Sequence, residues 1–208
     1  MHAMENGVDT KILKLIQDKR IIGIGTGTTI AQYINILPEA AIYIPSSIST
    51  SLLLSRNGLV VSTALVHEHI DLYIDGTDYF DGDANLIKGL GGALTKEKII
   101  CSASKQTVII AQPHKYRQTF DGCFVPIEVI PMSLPRVLSI INKRGLRCSL
   151  REDSKKIGPV MTELGNCIVD VEYDKQFIDS CKSICGVVEH GLFESNGFVL
   201  MVEKDSSE

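Results

Sequence analysis

Ile21-Ile22-Gly23-Ile24-Gly25-Thr26-Gly27-Thr28-Thr29 is a short apolar run that passes through closely spaced glycines into a polar segment. Ile21–Ile24 reads as a buried strand, Gly25–Thr28 as a turn, and Ile30, Ala31, Ile34 and Leu37 recur behind it at helical spacing. Glycines let the backbone turn tightly, and the unpaired N–H groups that open a helix favour an anion. Three threonine hydroxyls add donors without adding charge. Two readings stand at this point, a phosphate cradle and an ordinary strand-to-helix turn. A dinucleotide loop fits poorly: the glycines run G-x-G-x-G, and the next strand ends at Pro45-Ser46-Ser47 rather than at an acid for a ribose. No Gly-Lys-Ser/Thr follows, so this is not a Walker A loop either.

Working outward, the same alternation continues. Ile12, Leu13, Leu15 and Ile16 mark a helix before the turn, Ala41–Ile44 a strand after it, and Ser49–Asn57 a helix. Leu59–Val61, Asp71–Ile74 and Thr107–Ala111 read as strands and Thr95–Ala103 as a helix. Alternating strands and helices predict an α/β fold: a mostly parallel, Rossmann-like sheet with helices on both faces. From Phe124 the rhythm changes to β-α-β-β-α-β. Its parts are Phe124–Ile130, Leu134–Lys143, Leu146–Leu150, Cys167–Val171, Lys175–Ser183 and Val187–Leu192. That order is the ferredoxin-like split βαβ pattern. The expected organisation is an α/β domain of residues 1–123 and 196–208, with Phe198–Val202 as its returning strand. A smaller ferredoxin-like α+β domain fills 124–195, and Asp205–Glu208 reads as a frayed tail.

The 208 residues carry 21 Lys and Arg against 25 Asp and Glu, a net charge of −4, which argues against a broad nucleic-acid or anionic-membrane partner. No apolar run approaches the roughly 20 residues of a membrane span, and Met1–Asp9 lacks a signal-peptide core, so a cytoplasmic protein is expected. The six cysteines sit scattered in apolar stretches without CxxC spacing and read as free, mostly buried thiols; Cys181 and Cys185 fall at i,i+4 of a helix.

Two further stretches carry chemistry. Asp71-Leu72-Tyr73-Ile74-Asp75-Gly76-Thr77-Asp78 places acids just beyond an apolar strand, where open parallel sheets line a ligand crevice. Asp81 and Asp83 follow, but the EF-hand spacing fails. His67 and His69 lack helical zinc spacing as well, so no metal is expected. Asp75 and Asp78 also suit a plain turn-capping role. Ile87-Lys88-Gly89-Leu90-Gly91-Gly92-Ala93-Leu94-Thr95-Lys96-Glu97-Lys98 sets a lysine before a glycine-rich loop and an acid in the first turn of a helix. Taken alone, Glu97 is also a dipole-favoured helix-start residue. Together the stretches offer a carboxylate base, a cation for a developing oxyanion and acids for hydroxyls, the parts for moving a proton beside a carbonyl.

These stretches resemble type A ribose-5-phosphate isomerases over nearly the whole chain. Gly25-Thr26-Gly27-Thr28-Thr29 is similar to the family's G-T-G-S-T, Asp75-Gly76-Thr77-Asp78 to D-G-A-D, and Lys88–Lys98 to its glycine-rich loop and E-K pair. Pro126–Pro131 is similar to P-x-E-V-x-P, and Gly186–Phe193 to G-V-V-E-H-G-L-F. The resemblance implies cofactor-free interconversion of ribose 5-phosphate and ribulose 5-phosphate through an enediol. By the matched positions, Glu97 is the general base, Asp75 assists ring opening and proton movement among the oxygens, and Lys88 stabilises the enediolate. Substrate contacts are implied at Thr26, Gly27, Thr28 and Thr29 for the phosphate. Asp75, Gly76, Thr77, Asp78, Lys88, Gly89, Leu90, Gly91 and Lys115 are implied for the rest. The partner implied is a pentose phosphate, and the assembly a homodimer to which the smaller domain contributes, also the commonest symmetry.

The chain departs from the family pattern at four places. Thr28 stands for the usual serine, Tyr79 for an acid, and Leu90 for a loop glycine, awkward if that position needs positive φ. Glu5 stands for a lysine directed to phosphate, with Lys11 the nearest substitute. Two other functions share these residues: a non-catalytic phosphosugar sensor, and a lactonase or amino-sugar deaminase on a similar sheet. No basic helix-turn-helix segment precedes Ile21, which counts against the sensor. His190, in the last strand of the smaller domain, is expected to have a structural or interface role.

Overall fold

The computed structural model of the protein describes residues 7–155 and 157–203. Glu5 and the tail Asp205–Glu208 lie outside the described residues. Helix α1 (Gly7–Ile16) buries Val8, Ile12 and Ile16, the i, i+4, i+8 stripe of one face. It leads into β1 (Ile21–Ile24), followed by α2 (Thr28–Ala31), β2 (Ile42–Pro45), α3 (Ile48–Arg56), β3 (Val60–Val61) and β4 (Leu72–Gly76). Next come β5 (Tyr79–Phe80), β6 (Leu86–Ile87), α4 (Leu94–Ser102) and β7 (Thr107–Ala111). The chain then runs through β8 (Phe124–Val129), α5 (Leu134–Lys143), β9 (Cys148–Leu150), β10 (Cys167–Glu172) and α6 (Lys175–Cys181). It finishes with β11 (Val187–His190), β12 (Leu192–Phe193) and β13 (Val199–Val202).

Six strands form one parallel sheet in the order β13-β7-β4-β1-β2-β3. The strand order reverses between β1 and β4, so a crevice opens where their carboxyl ends diverge, the usual ligand position of such sheets. Alternation along β4 sends Leu72 and Ile74 into the core under α1 and α2, while Tyr73 joins Ile44, Ile70 and Ile100 on the other face. β13 returns to pair with β7, as expected.

β8–β11 form a four-stranded antiparallel sheet in the order β11-β8-β10-β9, the arrangement the β-α-β-β-α-β pattern implies. Val125, Ile127, Val129, Val169 and Val171 pack against α5 and α6 on one face. Glu128 and Asp170, alternating with them, reach the other face and meet α4 and the glycine-rich loop through Thr95 and Arg151.

Several local expectations need correction. The helix after the first glycine turn is a single turn, Thr28–Ala31, with a 3₁₀ segment at Ile34–Ile36. Thr28, Thr29 and Ile30 are β-branched, which shortens the regular helix even though the apolar spacing still buries Ile30 and Ile34. The expected strand Val187–Leu192 splits at Gly191. β11 stays in the antiparallel sheet, and β12 leaves to pair with β6. A Cβ on Gly191 would stand 2.1 Å from the Lys88 carbonyl, so only glycine lets the chain change sheets there. α6 ends at Cys181, so Cys185 is exposed beyond it and the pair does not share a helix. All six cysteines are free, but only Cys167 and Cys181 are buried.

The hairpin β5–β6 was not expected. Asp81 organises its turn by accepting the backbone N–H groups of Asp83 (3.0 Å) and Asn85 (2.8 Å) and the Asn85 side-chain amide (2.9 Å). Among the described residues, no helix is long and apolar enough to cross a membrane.

Candidate active site

The carboxyl ends of β1, β4 and β7 and the start of α4 surround a cavity of about 110 Å³. Thr26, Gly27, Thr28 and Thr29 line it from the turn after β1, and Gly76, Thr77 and Asp78 from the end of β4. Lys88, Gly89 and Gly91 close it from the glycine-rich loop, Glu97 from α4, and Lys115 from the turn after β7. Twelve residues separated by up to 89 positions in sequence (Thr26 to Lys115) thus meet because four chain turns sit at one end of one sheet.

Two of the expected contacts do not line this cavity. Asp75 is fully buried behind Lys88, and its carboxylate is already engaged. Oδ1 accepts the Gly76 N–H at 2.7 Å, while Oδ2 accepts the Tyr73 hydroxyl and pairs with Lys88 Nζ at 2.7 Å. Gly25 packs directly on this carboxylate; a Cβ there would stand 1.8 Å from Oδ1, so the first glycine loop can be held against the acid only without a side chain. Leu90 is half-exposed, and its contribution is its backbone N–H, which donates to Asp78 Oδ2 at 2.9 Å. Leu90 is also not strained: the positive φ falls on Gly89 (+103°) and Gly92 (+80°) instead. The replaced glycine is therefore at a position any residue can occupy.

Lys88 and Glu97 are buried, at 3% and 4% exposure, yet both face the cavity. Lys88 donates to the Gly76 carbonyl at 2.6 Å and pairs with Asp75; its ammonium lies 3.4 Å from Glu97 Oε2. Burial opposes the Lys88 charge, but Asp75 and Glu97 outweigh it and hold its pKa above that of an ordinary lysine. Glu97 Oε2 has no hydrogen-bond partner. Burial first, and the Asp75 and Asp78 carboxylates next, push Glu97 up to about 8 against the pull of Lys88. A buried carboxylate with a raised pKa, lining a cavity beside a fixed cation and with one oxygen free of hydrogen bonds, is suited to taking a proton from carbon.

The threonines are not equivalent. The Thr26 hydroxyl is tied to the α3 side of the crevice, donating to Ser47 Oγ at 2.8 Å and lying 2.7 Å from Ser46 Oγ. Thr28 is exposed at the mouth, and Thr29 is buried. Lys115 Nζ donates to the Thr77 carbonyl at 2.8 Å, which holds this cation over the turn after β4. Tyr79 points away, its ring stacked 4.5 Å from the Arg117 guanidinium. Lys11 is exposed on α1 and does not line the cavity.

Sequence reasoning missed the residues that hold these groups in place. Tyr73 shares a strand face with Asp75 at i+2, a signal available from the alternation of β4. Arg151 gives no local signal: it donates to the Gly89 (2.8 Å) and Leu90 (3.0 Å) carbonyls and is itself fixed by Asp170. Glu128 accepts from Thr95 (2.5 Å), Thr162 (2.7 Å) and Asn166 (2.8 Å), tying the first turn of α4 to β8. His190 lies outside this cavity, on β11, with its backbone carbonyl 2.6 Å from Lys98 Nζ. Burial and the neighbouring Lys98 cation push its imidazole down to about 4.

Comparison with known proteins gives a consistent picture. Residues 42–206 match the family model of ribose 5-phosphate isomerase A (phosphoriboisomerase A). The ribose-5-phosphate isomerase A of Archaeoglobus fulgidus is 39% identical over 195 residues, covering 87% of this chain and 86% of its own. The structure of ribose 5-phosphate isomerase A from Methanocaldococcus jannaschii superposes with a TM-score of 0.87 at 29% identity, covering 95% of this chain and 93% of that one. A D-ribose-5-phosphate isomerase solved in complex with phospho-erythronic acid gives 0.86 at 30% identity, covering 93% and 91%.

Proposed function

The chain belongs to the ribose 5-phosphate isomerase A family, and on that premise we propose that Glu97 carries the proton between C2 and C1 of the sugar phosphate. The protein is an aldose–ketose isomerase that interconverts ribose 5-phosphate and ribulose 5-phosphate, a reaction of the pentose phosphate pathway. The observation that carries the assignment is the Glu97 carboxylate, which lines the cavity while its buried Oε2, without a hydrogen bond, lies 3.4 Å from the Lys88 ammonium.

In this reading Glu97 removes the proton from C2 of the open-chain aldose. Charge develops on the carbonyl oxygen, and Lys88, fixed by Asp75 and the Gly76 carbonyl, faces it as a preset cation. Glu97 then returns the proton to C1 as the O2 hydroxyl proton passes to O1, giving the ketose. Asp75 acts through Lys88 in this arrangement, since its own oxygens are already engaged. Asp78, held by the Leu90 N–H, offers its carboxylate to sugar hydroxyls. The backbone and hydroxyls of Thr26–Thr29, with Lys115 nearby, form the phosphate end. The carboxylic acid of phospho-erythronic acid, bound in the related structure, is a planar, charged counterpart of an enediolate and fits the same division of labour.

We also read residues 1–123 with 196–208, and residues 124–195, as two units, supported by the parallel sheet lying in one and the four-stranded antiparallel sheet in the other, with β5, β6 and β12 joining them. We place the protein in the cytoplasm as a homodimer, the default for a symmetric assembly. A solution mass twice that of the chain supports the dimer, and a single-chain mass rejects it. The functional test is incubation with ribose 5-phosphate in buffer free of nucleotide. Ketose should form, and Glu97→Gln should lower the rate at least about 10²-fold.

A further inference from the structure

We propose that Gln112 is a positioning residue for phosphate recognition: its amide fixes the Thr29 hydroxyl as an acceptor, leaving that hydroxyl's proton free for the sugar phosphate. The inference rests on reading the Thr26–Thr29 turn as the phosphate end of the cavity. Gln112 directly follows β7, and its Nε2 lies 3.0 Å from Thr29 Oγ1 and 2.7 Å from Glu203 Oε2. Glu203 directly follows β13, and its other oxygen accepts the Tyr33 hydroxyl. A carboxylate accepts and does not donate, so the amide must turn its nitrogen toward Glu203; the opposite rotamer would press two acceptors together. The same nitrogen then faces Thr29.

A hydroxyl that accepts from an amide must place its one proton elsewhere. Thr29 donates to no group among the described residues, is buried, and lines the cavity. Thr26 differs, because its hydroxyl already donates to Ser47. Thr28, exposed at the mouth, also has no side-chain hydrogen bond among the described residues, so Thr29 is the one hydroxyl of the turn whose uncommitted donor is aimed by a buried partner. The orientation leaves a trace: Gln112 Oε1 is buried with no partner. The amide is held by what its nitrogen must do, at the expense of its oxygen.

The test exchanges the two side chains. In Gln112→Glu/Glu203→Gln the net charge and the amide–carboxylate hydrogen bond are retained, but Thr29 now meets an acceptor that captures its proton. The KM for ribose 5-phosphate should rise at least about tenfold with kcat within about twofold, and the Ki of inorganic phosphate should rise in parallel. Wild-type KM and Ki in the exchanged protein overturn the proposal, because a merely structural pair would be restored by the swap. Should that variant fail to fold, Gln112→Met serves: phosphate should raise its Tm less than it raises that of the wild type, and an equal shift overturns the proposal. Thr29→Val separates the two levels. A raised KM there with normal constants in the exchanged variant rejects the role of Gln112 alone. An unchanged KM in Thr29→Val rejects the phosphate-end reading, and the inference with it.

Discussion

Lys88 Nζ stands 2.7 Å from Asp75 Oδ2 but 3.4 Å from Glu97 Oε2, so one cation pairs closely with the first buried carboxylate and only loosely with the second. The asymmetry divides two acids into two roles. Asp75 is locked among Tyr73, Lys88 and the Gly76 N–H, while Glu97 lines the cavity with its Oε2 free of any hydrogen bond. Carboxylates whose surroundings differ this much are the usual basis for separating a base from a structural acid.

The first consequence concerns pH. Burial and the nearby acids push Glu97 up to about 8, and the base must be ionised to act. The kcat/KM profile, which reports the free enzyme, should climb through an acid limb near pH 8 and level off above it. Initial rates across pH 5–10 in constant-ionic-strength buffer check this. A limb in the ordinary carboxylate range contradicts it.

Stability should move the opposite way. The folded pKa of Glu97, about 8, lies above its ordinary value of 4.5, so its contribution to stability is full below pH 4.5 and is lost as pH rises through about 8. Glu97→Gln, which cannot ionise, should therefore unfold at higher denaturant concentration than wild type at pH 9. Near pH 4.5 the two should coincide. Urea titrations at both pH values give the comparison.

Lys88→Met removes the cation and leaves Asp75 buried without its partner. Breaking such a pair costs about 3–5 kcal/mol, so this variant should be strongly destabilised at pH 7. The deficit should shrink as pH falls and Glu97, which in this variant has lost the cation that lowers its pKa, takes up a proton. Equilibrium unfolding as a function of pH measures both effects, and a pH-independent deficit would show that lost packing, not lost charge, is responsible.

Gly25→Ala places a methyl 1.8 Å from Asp75 Oδ1. Overpacking of this kind costs about 1–3 kcal/mol and displaces the acid that holds Lys88, so activity should fall with stability. Gly91→Ala is the comparison: nothing lies within 4 Å of the new Cβ, and stability should stay within about 0.5 kcal/mol of wild type. Thermal melts and initial rates on both variants decide the point.

Much of this is legible in the sequence. Strand-to-helix alternation gives the parallel sheet, and glycine-rich turns at strand ends mark the crevice, because backbone geometry at those points leaves few other residues possible. What stayed hidden depends on contacts between distant segments. Asp75 reads as a cavity residue until Tyr73, Lys88 and Gly25 are seen to enclose it. Leu90 reads as a strained loop position until the positive φ is found on Gly89 and Gly92. The split between β11 and β12 follows from the Lys88 carbonyl pressing on Gly191, a contact across 103 positions that no local pattern encodes. Arg151 clamps the glycine-rich loop from another sheet, again without a local signature.

The central claim is that Glu97 moves the proton, and isotope exchange addresses it most directly. Ribose 5-phosphate incubated with the enzyme in D₂O, followed by NMR, should yield ribulose 5-phosphate carrying deuterium at C1. In Glu97→Gln both deuterium incorporation and ketose formation should fall together, by at least about 10²-fold, with the fold intact. Wild-type incorporation in that variant would place the base elsewhere and contradict the account.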